Sequence, residues 1–269
     1  ITISPVVIGV IVAAVAAFVF LGGTQRLASV VEKVVPIMAG VYIVGSLILI
    51  IMNIANLPAA IKMIFVGAFD PQAVLGAGAG IAVKEAIRFG VARGLFSNEA
   101  GMGSTPHAHA RATAENPHKQ GLCAMISVFI DTFIVLNLTV FSILTTNSLS
   151  SGKDGIMLTQ YAFSTVFGSF GDIFIAVCLL FFAFSTILGW HFFGSINVKH
   201  LFGKKGMVPY SVLVAVFIVV GSMLKVDLVW TLADFFNGLM VIPNALALLA
   251  LSGVVASICK KYSSEKSDN

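Results

Sequence analysis

The chain has 269 residues, of which 58% are hydrophobic and only 10% are charged, and its mean hydropathy is +1.00. This composition lies far outside the range of soluble globular proteins and is typical of a polytopic membrane protein. The net charge of +4 does not indicate nucleic-acid binding, because the basic residues cluster between apolar runs, as membrane topology requires. The three cysteines, Cys123, Cys178 and Cys259, have no CxxC spacing, so neither a disulfide framework nor a zinc site is indicated.

Six apolar runs are long enough to be candidate membrane spans: 5–22, 34–56, 120–145, 171–197, 207–224 and 229–258. The first run lacks the charged start and the small-residue cleavage site of a signal peptide, so we interpret it as a span. Since the chain begins with Ile1 and not with methionine, we expect it to be a fragment that lacks N-terminal spans.

Positive charge predicts the cytoplasmic side of each span. The basic connections, which we place inside, are 23–33, 198–206 and the C-terminal tail at 259–269. Following the chain from both ends then puts Asn56 outside and Lys119 inside, so one more crossing must lie between them. Residues 59–92 are the candidate, with a cytoplasmic loop at 93–119 after them. Residues 1–269 would thus form one transmembrane domain with seven crossings.

The additional crossing is rich in glycine. In hydrocarbon, unwound backbone is tolerated only where it lines a cavity or is buried in protein. We therefore predict that 59–92 is a discontinuous helix, broken where glycine relieves side-chain bulk. Its half-helix ends would bind a small solute and its coupling cation through Gly76, Ala77, Gly78 and Gly80. The alternative is that these glycines only let neighbouring helices approach closely.

Linked strings after this segment carry a family resemblance. They are GVARGLFSNEAGMGSTP at 90–106, PHKQG at 117–121 and VFIDT at 128–132, with GTQRLA at 23–28 and EKVVP at 32–36 before them. Together they resemble the alanine or glycine:cation symporter family, the sodium:alanine symporters. The likeness extends over nearly the whole chain.

The resemblance implies secondary active transport of a small neutral amino acid, alanine or glycine, coupled to entry of sodium or a proton. It also implies the C-terminal portion of an all-α inverted-repeat fold, shared with leucine-type and amino-acid-polyamine transporters, with one broken helix. We expect a monomeric, multi-pass protein of the plasma membrane, with Na⁺ as coupling ion and no cofactor. No HExxH motif, paired carboxylates or Ser/His constellation indicates an enzyme. The alternative is a channel-like or structural membrane subunit without solute coupling.

The run at 171–197 carries further candidate binding residues. Thr186, Trp190 and Gly194 are four apart and share one helix face, which offers a substrate a hydroxyl, an aromatic wall and a gap. The resemblance implies that the same helix holds sodium, through Ala183, Ser185 and Thr186. The alternative is that the hydroxyls bond to their own helix carbonyls and that Trp190 packs.

Polar residues toward the cytoplasmic side are predicted to have gating or structural roles: Arg93, Asn98, Glu99 and Asp131. An ionisable group in an apolar span, such as Asp131, is a functional-site hypothesis by default. It lies about two to three helical turns from the cytoplasmic end, so we expect a salt bridge to Arg93 or Arg111 in preference to direct sodium binding.

The remaining polar residues are given structural interpretations. Asp234, near an outer span end, is expected to be solvated. His107 and His109 form a His-Ala-His pair, but no cysteine or carboxylate lies at ligand spacing, so no metal site is predicted. His191, beside Trp190, is expected to pack or to form a hydrogen bond.

Overall fold

The structure is a computed structural model that describes residues 4–69 and 79–265. The regular elements of the described residues are helices. The α-helices are α1 (Pro5–Leu21), α2 (Gly23–Met52), α3 (Leu57–Phe69), α4 (Ala79–Asn98), α5 (Thr105–His109), α6 (Pro117–Phe129), α7 (Asn137–Thr145), α8 (Gly155–Phe167), α9 (Ser169–Phe202), α10 (Met207–Met223) and α11 (Val226–Glu265). Short 3₁₀ turns at Ile54–Asn56, Ser148–Ser151 and Lys204–Gly206 connect them, and a π-helical segment, Ile130–Leu136, joins α6 to α7.

Five helical stretches of the described chain are long and apolar enough to cross a membrane: Gln25–Met52, Pro117–Thr145, Ser169–Phe202, Lys204–Met223 and Val226–Tyr262. They coincide with the second to sixth predicted runs, so the prediction of an all-helical, multi-pass membrane protein is confirmed. The first run forms α1, a shorter apolar helix of 17 residues. The seven crossings and the inverted repeat stay predictions.

The predicted discontinuous helix corresponds to α3 and α4. Gly76, Ala77 and Gly78 lie outside the described residues. Gly80 lies in the first turn of α4, so its backbone is helical and not unwound. At the other end of the chain, α11 continues to Glu265 and takes in much of the predicted tail.

The described chain divides into two compact units. The first comprises Ile1–Leu27, Ala92–Ile130 and Leu188–Asn269. Within it, α1 packs along α10. The two helices approach closely at Gly9, where a Cβ atom would overlap the hydroxyl of Ser222. Small residues at such crossings are typical of helix packing in membranes.

The second unit comprises Ala28–Val91 and Asp131–Ile187. Its core is a cluster of buried side chains from α2, α8 and α9: Tyr42, Leu49, Ile50, Phe163, Ile175 and Cys178. The phenol of Tyr42 also shares a 2.6 Å hydrogen bond with Thr139 of α7, which satisfies a polar group inside this core.

Candidate functional site

A tight turn at residues 99–104 separates α4 from α5, and we call it the 99–104 turn. Its backbone is left-handed at three places, with φ of +56° at Glu99, +89° at Gly101 and +87° at Gly103. Glycine adopts this conformation without strain, whereas a residue with a side chain rarely does. At Glu99 the surrounding structure must therefore impose a conformation that costs about 1–3 kcal/mol.

Hydrogen bonds inside the turn impose that conformation. One carboxylate oxygen of Glu99 accepts from the hydroxyls of Ser104, at 2.7 Å, and Thr105, at 2.9 Å. The Asn98 side-chain oxygen accepts from the backbone N–H of Ala100 at 2.9 Å. Glu99 thus ties the end of α4 to the start of α5, and the predicted structural role of Asn98 and Glu99 fits these contacts.

The 99–104 turn docks on α11. The side-chain amide of Asn244 donates to the carbonyl of Gly101 at 2.8 Å. Gly103 approaches the same residue so closely that an added Cβ atom would lie 2.9 Å from the Asn244 Cβ. Met102 and Ser104 are each only 1% exposed, whereas Ala100 and Gly101 are exposed, so one side of the turn is packed into protein.

The last turns of α4 are held to α11 by Arg93. Its guanidinium donates to both carboxylate oxygens of Asp234, at 2.9 and 3.0 Å, in the paired geometry that makes such bonds strong. The guanidinium carbon also lies 4.0 Å from the centre of the Trp230 ring, within range of a cation–π interaction. Phe96 packs edge-on against that ring, with the centroids 5.5 Å apart. We call these four residues the Arg93 clamp.

The contacts with α11 give the depth of the 99–104 turn. Asn244 lies midway between Val226 and Tyr262, the limits of the spanning stretch. The turn that contacts Asn244 therefore lies beside the middle of that helical stretch, and α4 ends there. The last carbonyls of a helix have no intrahelical partners and carry the negative end of its dipole. A helix end beside the middle of a candidate span thus occurs at 99–104, later in the chain than the glycines selected from the sequence.

The Arg93 clamp corrects two expectations. Asp234 was expected to be only solvated, but both of its oxygens are bonded to Arg93, although its side chain is 36% exposed. The charge pattern also placed Arg93 at an inner end and Asp234 at an outer end of their spans. Atoms 2.9 Å apart must lie at one depth, so at least one of those two assignments is wrong. The charge rule counts basic residues in loops and does not detect a cation that pairs inside a span.

The predicted cytoplasmic loop at 93–119 contains the last residues of α4, the 99–104 turn, α5 and the start of α6. This segment also contacts α11 at points far apart along that helix. Arg93 bonds to Asp234 near one end, and the ring of His118 stacks on the ring of Tyr262 near the other, with centroids 5.6 Å apart. Asp131 lies at the start of the π-helical segment, beside carbonyls of Thr132 and Phe133 that accept from the Asn137 side chain at 3.1 and 3.2 Å. The predicted gating role of Asp131 stays a prediction.

The predicted face of α9 is only partly open. Trp190 is half-buried and packs edge-on against Phe193, with centroids 5.9 Å apart. The gap predicted at Gly194 is occupied, because a Cβ atom there would overlap the hydroxyl of Tyr210. His191, next to Trp190, is 4% exposed and bonds to the Ser211 hydroxyl at 3.0 Å, as expected of a packed histidine.

The candidate sodium ligands make local contacts in this structure. Ser185 and Thr186 both donate to the carbonyl of Phe182, at 2.9 and 2.8 Å. This arrangement matches the alternative in which the hydroxyls bond to their own helix. Ala183 lies in the same turns of α9 and is exposed. A hydroxyl that donates its proton still has lone pairs for a cation, so the sodium role of these three residues stays a prediction.

Sequence reasoning missed Trp230 and Asn244 and did not assign a partner to Asp234; these are the α11 residues that hold α4 and the turn. Two signals could have directed attention to this region. Two glycines and four polar residues clustered at 97–104 mark a turn inside an otherwise helical pattern. In α11, Asn244 follows Pro243, and a polar residue beside a proline in an apolar span is an expected contact point for a neighbouring segment.

The fold and this site define a multi-pass helical membrane protein in which a helix ends beside the middle of a candidate span. The sequence profile of the sodium:alanine symporter family matches residues 1–269. The chain is 41% identical over 258 residues to an uncharacterized transporter of Haemophilus influenzae, which covers 95% of this chain and 57% of the relative. This chain belongs to the sodium:alanine symporter family.

Two further relatives have more specific names. The amino-acid carrier protein AlsT of Bacillus subtilis is 37% identical over 265 residues, which are 98% of this chain and 56% of the relative. The sodium/alanine symporter AgcS of Methanococcus maripaludis is 37% identical over 264 residues, which are 97% of this chain and 57% of the relative. The chain thus spans a little over half the length of these curated relatives.

Proposed function

We propose that this chain belongs to a secondary active transporter that couples entry of a small neutral amino acid, alanine or glycine, to entry of sodium by alternating access. The observation that carries the proposal is the 99–104 turn, where α4 ends beside the middle of a candidate span. Helices broken at that depth are where transporters of this type expose backbone groups to substrate and ion. Family membership supports the same function.

In this proposal α4 and the 99–104 turn supply one wall of the site. The C-terminal end of α4 presents carbonyls that suit a sodium ion or the ammonium group of an amino acid. Trp190 supplies an aromatic wall on α9. It lies seven residues, or about two turns, before Asn197, so both occupy one helix face, and Asn197 contacts His107 just after the turn.

We further propose the inverted-repeat arrangement, a monomeric transporter in the plasma membrane and a cytoplasmic C-terminus. The orientation is supported by Lys260, Lys261 and Lys266, since positive charge favours the cytoplasmic side. Sodium roles for Ser185 and Thr186 belong to the same proposal, with these hydroxyls exchanging their helix bond for the ion.

Uptake of labelled alanine into vesicles that contain the full-length protein tests the function. We expect accumulation driven by an inward sodium gradient, abolished when potassium replaces sodium, and reduced by unlabelled glycine. A separate arm with only an inward proton gradient identifies the coupling ion. Alanine flux that merely equilibrates, with no accumulation under either gradient, would contradict the proposal and favour the channel-like alternative.

Replacing Trp190 by alanine is expected to weaken uptake more than it lowers the amount of protein in the membrane. The reason is that Trp190 is half-buried and in this proposal exposes part of its ring to the substrate. Apparent affinity for alanine should fall several-fold, measured as the KM of uptake. Phe193→Ala, on the same helix turn, is the comparison for lost packing. Unchanged uptake kinetics in Trp190→Ala would remove this residue from the site.

A further inference from the structure

The imidazole of His107 lies between two hydrogen-bond acceptors. Its Nδ1 atom is 3.0 Å from the carbonyl oxygen of Ser104, the last residue of the 99–104 turn. Its Nε2 atom is 3.2 Å from the side-chain oxygen of Asn197 in α9. The side chain is half-buried and bridges two elements.

The orientation of the Asn197 amide is determined by a second contact. Its nitrogen donates to the carbonyl of Phe193 at 2.9 Å, which turns the oxygen toward His107. The reverse orientation would place the amide oxygen against the Phe193 carbonyl, so both would be acceptors. The Ser104 carbonyl is an acceptor in any case. Each nitrogen of the ring therefore faces an atom that can only accept.

A neutral imidazole has one N–H donor and one acceptor nitrogen, whereas an imidazolium donates from both nitrogens. In the neutral form one ring nitrogen would direct its lone pair at an oxygen lone pair. In the charged form both contacts are hydrogen bonds, and bonds from a charged donor are the stronger kind. The surroundings of His107 are thus complementary to the protonated ring.

His109, two residues later, has the opposite surroundings. Its Nδ1 atom faces the side-chain amide nitrogen of Gln120 at 2.6 Å, so this ring nitrogen serves as an acceptor and the neutral ring is satisfied there. The two histidines of the His-Ala-His pair therefore differ, and only His107 is surrounded as a protonated ring would be. His109 provides a matched control in the same short helix.

We propose that His107 is a proton-binding site that fastens the 99–104 turn to α9. Binding of a proton completes both hydrogen bonds, and its release removes one of them. The proton bound by His107 is distinct from the coupling ion, and the proposal does not depend on whether the protein transports alanine. Because the turn also contacts α11 through Asn244, protonation of His107 would hold this part of the chain in the arrangement seen here.

Other charged and titratable groups lie on the segments that adjoin His107. On the turn, the Glu99 carboxylate is bonded to Ser104 and Thr105, and its negative charge favours a protonated ring nearby. On α9, Lys199 and His200 follow Asn197, and their positive charge acts in the opposite direction. The two atoms in direct contact with the ring are neutral oxygens that each need a hydrogen-bond donor. That need, and not a neighbouring charge, is what favours the protonated ring in this proposal.

The sign of the pH effect follows from these contacts. If the folded protein bonds the protonated ring twice, this contribution to stability is present while the ring is charged and is lost when the ring is neutral. The unfolding temperature plotted against pH should therefore contain a component due to His107, and His107→Gln should remove that component. Asn197→Asp places a carboxylate against the ring and should move the component to higher pH. Asn197→Ala should move it to lower pH.

The experiment uses purified full-length protein in nanodiscs, with thermal unfolding measured between pH 5 and pH 8. Histidine labelled with ¹⁵N reports directly whether the ring carries one or two N–H groups, and His107→Gln identifies the signal. His109→Gln is the control and should leave the component in place. Two protonated nitrogens at pH 5 and the opposite shifts of the two Asn197 variants would support the proposal. A neutral ring at pH 5, or the same pH curve in His107→Gln as in the unaltered protein, would overturn it.

Discussion

Replacing Arg93 by alanine is expected to destabilise the protein by about 2 kcal/mol and to reduce transport strongly. The substitution leaves the Asp234 carboxylate without its cation inside a span and removes the cation–π contact with Trp230. Both charged side chains are about one-third exposed, at 33% and 36%, so we expect less than the loss typical of a fully buried pair. Thermal unfolding in nanodiscs and initial rates of alanine uptake measure the two effects.

The control for this prediction is an ion pair on the same helix. Arg88 bonds to Glu85 one turn away at 3.3 Å, and its side chain is 67% exposed. Because exposed pairs contribute little, Arg88→Ala should change stability by no more than about 0.5 kcal/mol. The exchange Arg93→Asp with Asp234→Arg should recover part of the lost stability. If Arg93→Ala unfolds at the same temperature as Arg88→Ala, the clamp has no role in holding α4 against α11.

The second large effect is expected at Gly103. Alanine there must adopt a φ of +87°, which costs about 1–2 kcal/mol for a residue with a Cβ atom. Its Cβ would also lie 2.9 Å from the Asn244 Cβ, so Asn244 must move and its bond to Gly101 is lost, for about 1 kcal/mol more. We expect Gly103→Ala to displace the turn and to lower the rate of alanine uptake more than the amount of folded protein.

Two other glycines separate these causes. Gly101 has a φ of +89°, but a Cβ atom there would meet only Leu95, at an ordinary 3.6 Å, so Gly101→Ala should show the backbone strain alone. Gly121 lies in α6 with nothing within 4 Å of an added Cβ atom, and alanine there should be neutral or slightly stabilising. Equal uptake rates in Gly101→Ala and Gly103→Ala would show that contact with Asn244 is unimportant to transport.

The sequence predicted the spans well because hydropathy is a local property. Five of its six apolar runs are helices of spanning length; four agree with their predicted limits to within about five residues, whereas the second begins at Gln25 and not at residue 34. The short sequence strings between residues 90 and 132 were likewise enough to identify the family, since each string is an uninterrupted stretch of sequence that can be recognised without the fold. Glu99 and Arg93 were singled out as gating or structural residues, because a charged residue beside an apolar run needs a partner, and this role stays a prediction.

The partners of those residues were decided by tertiary structure. Arg93 and Asp234 are 141 positions apart, and Gly101 and Asn244 are 143 apart, so no local pattern connects them. Both glycine-rich segments, at 76–80 and 101–103, permit a break in a helix, since glycine allows many backbone conformations. The second lies beside the middle of α11 because Asn244 and the Arg93 clamp hold it there. Sequence determined where helices can form and end, and packing between residues far apart in the chain determined what the end of α4 contacts.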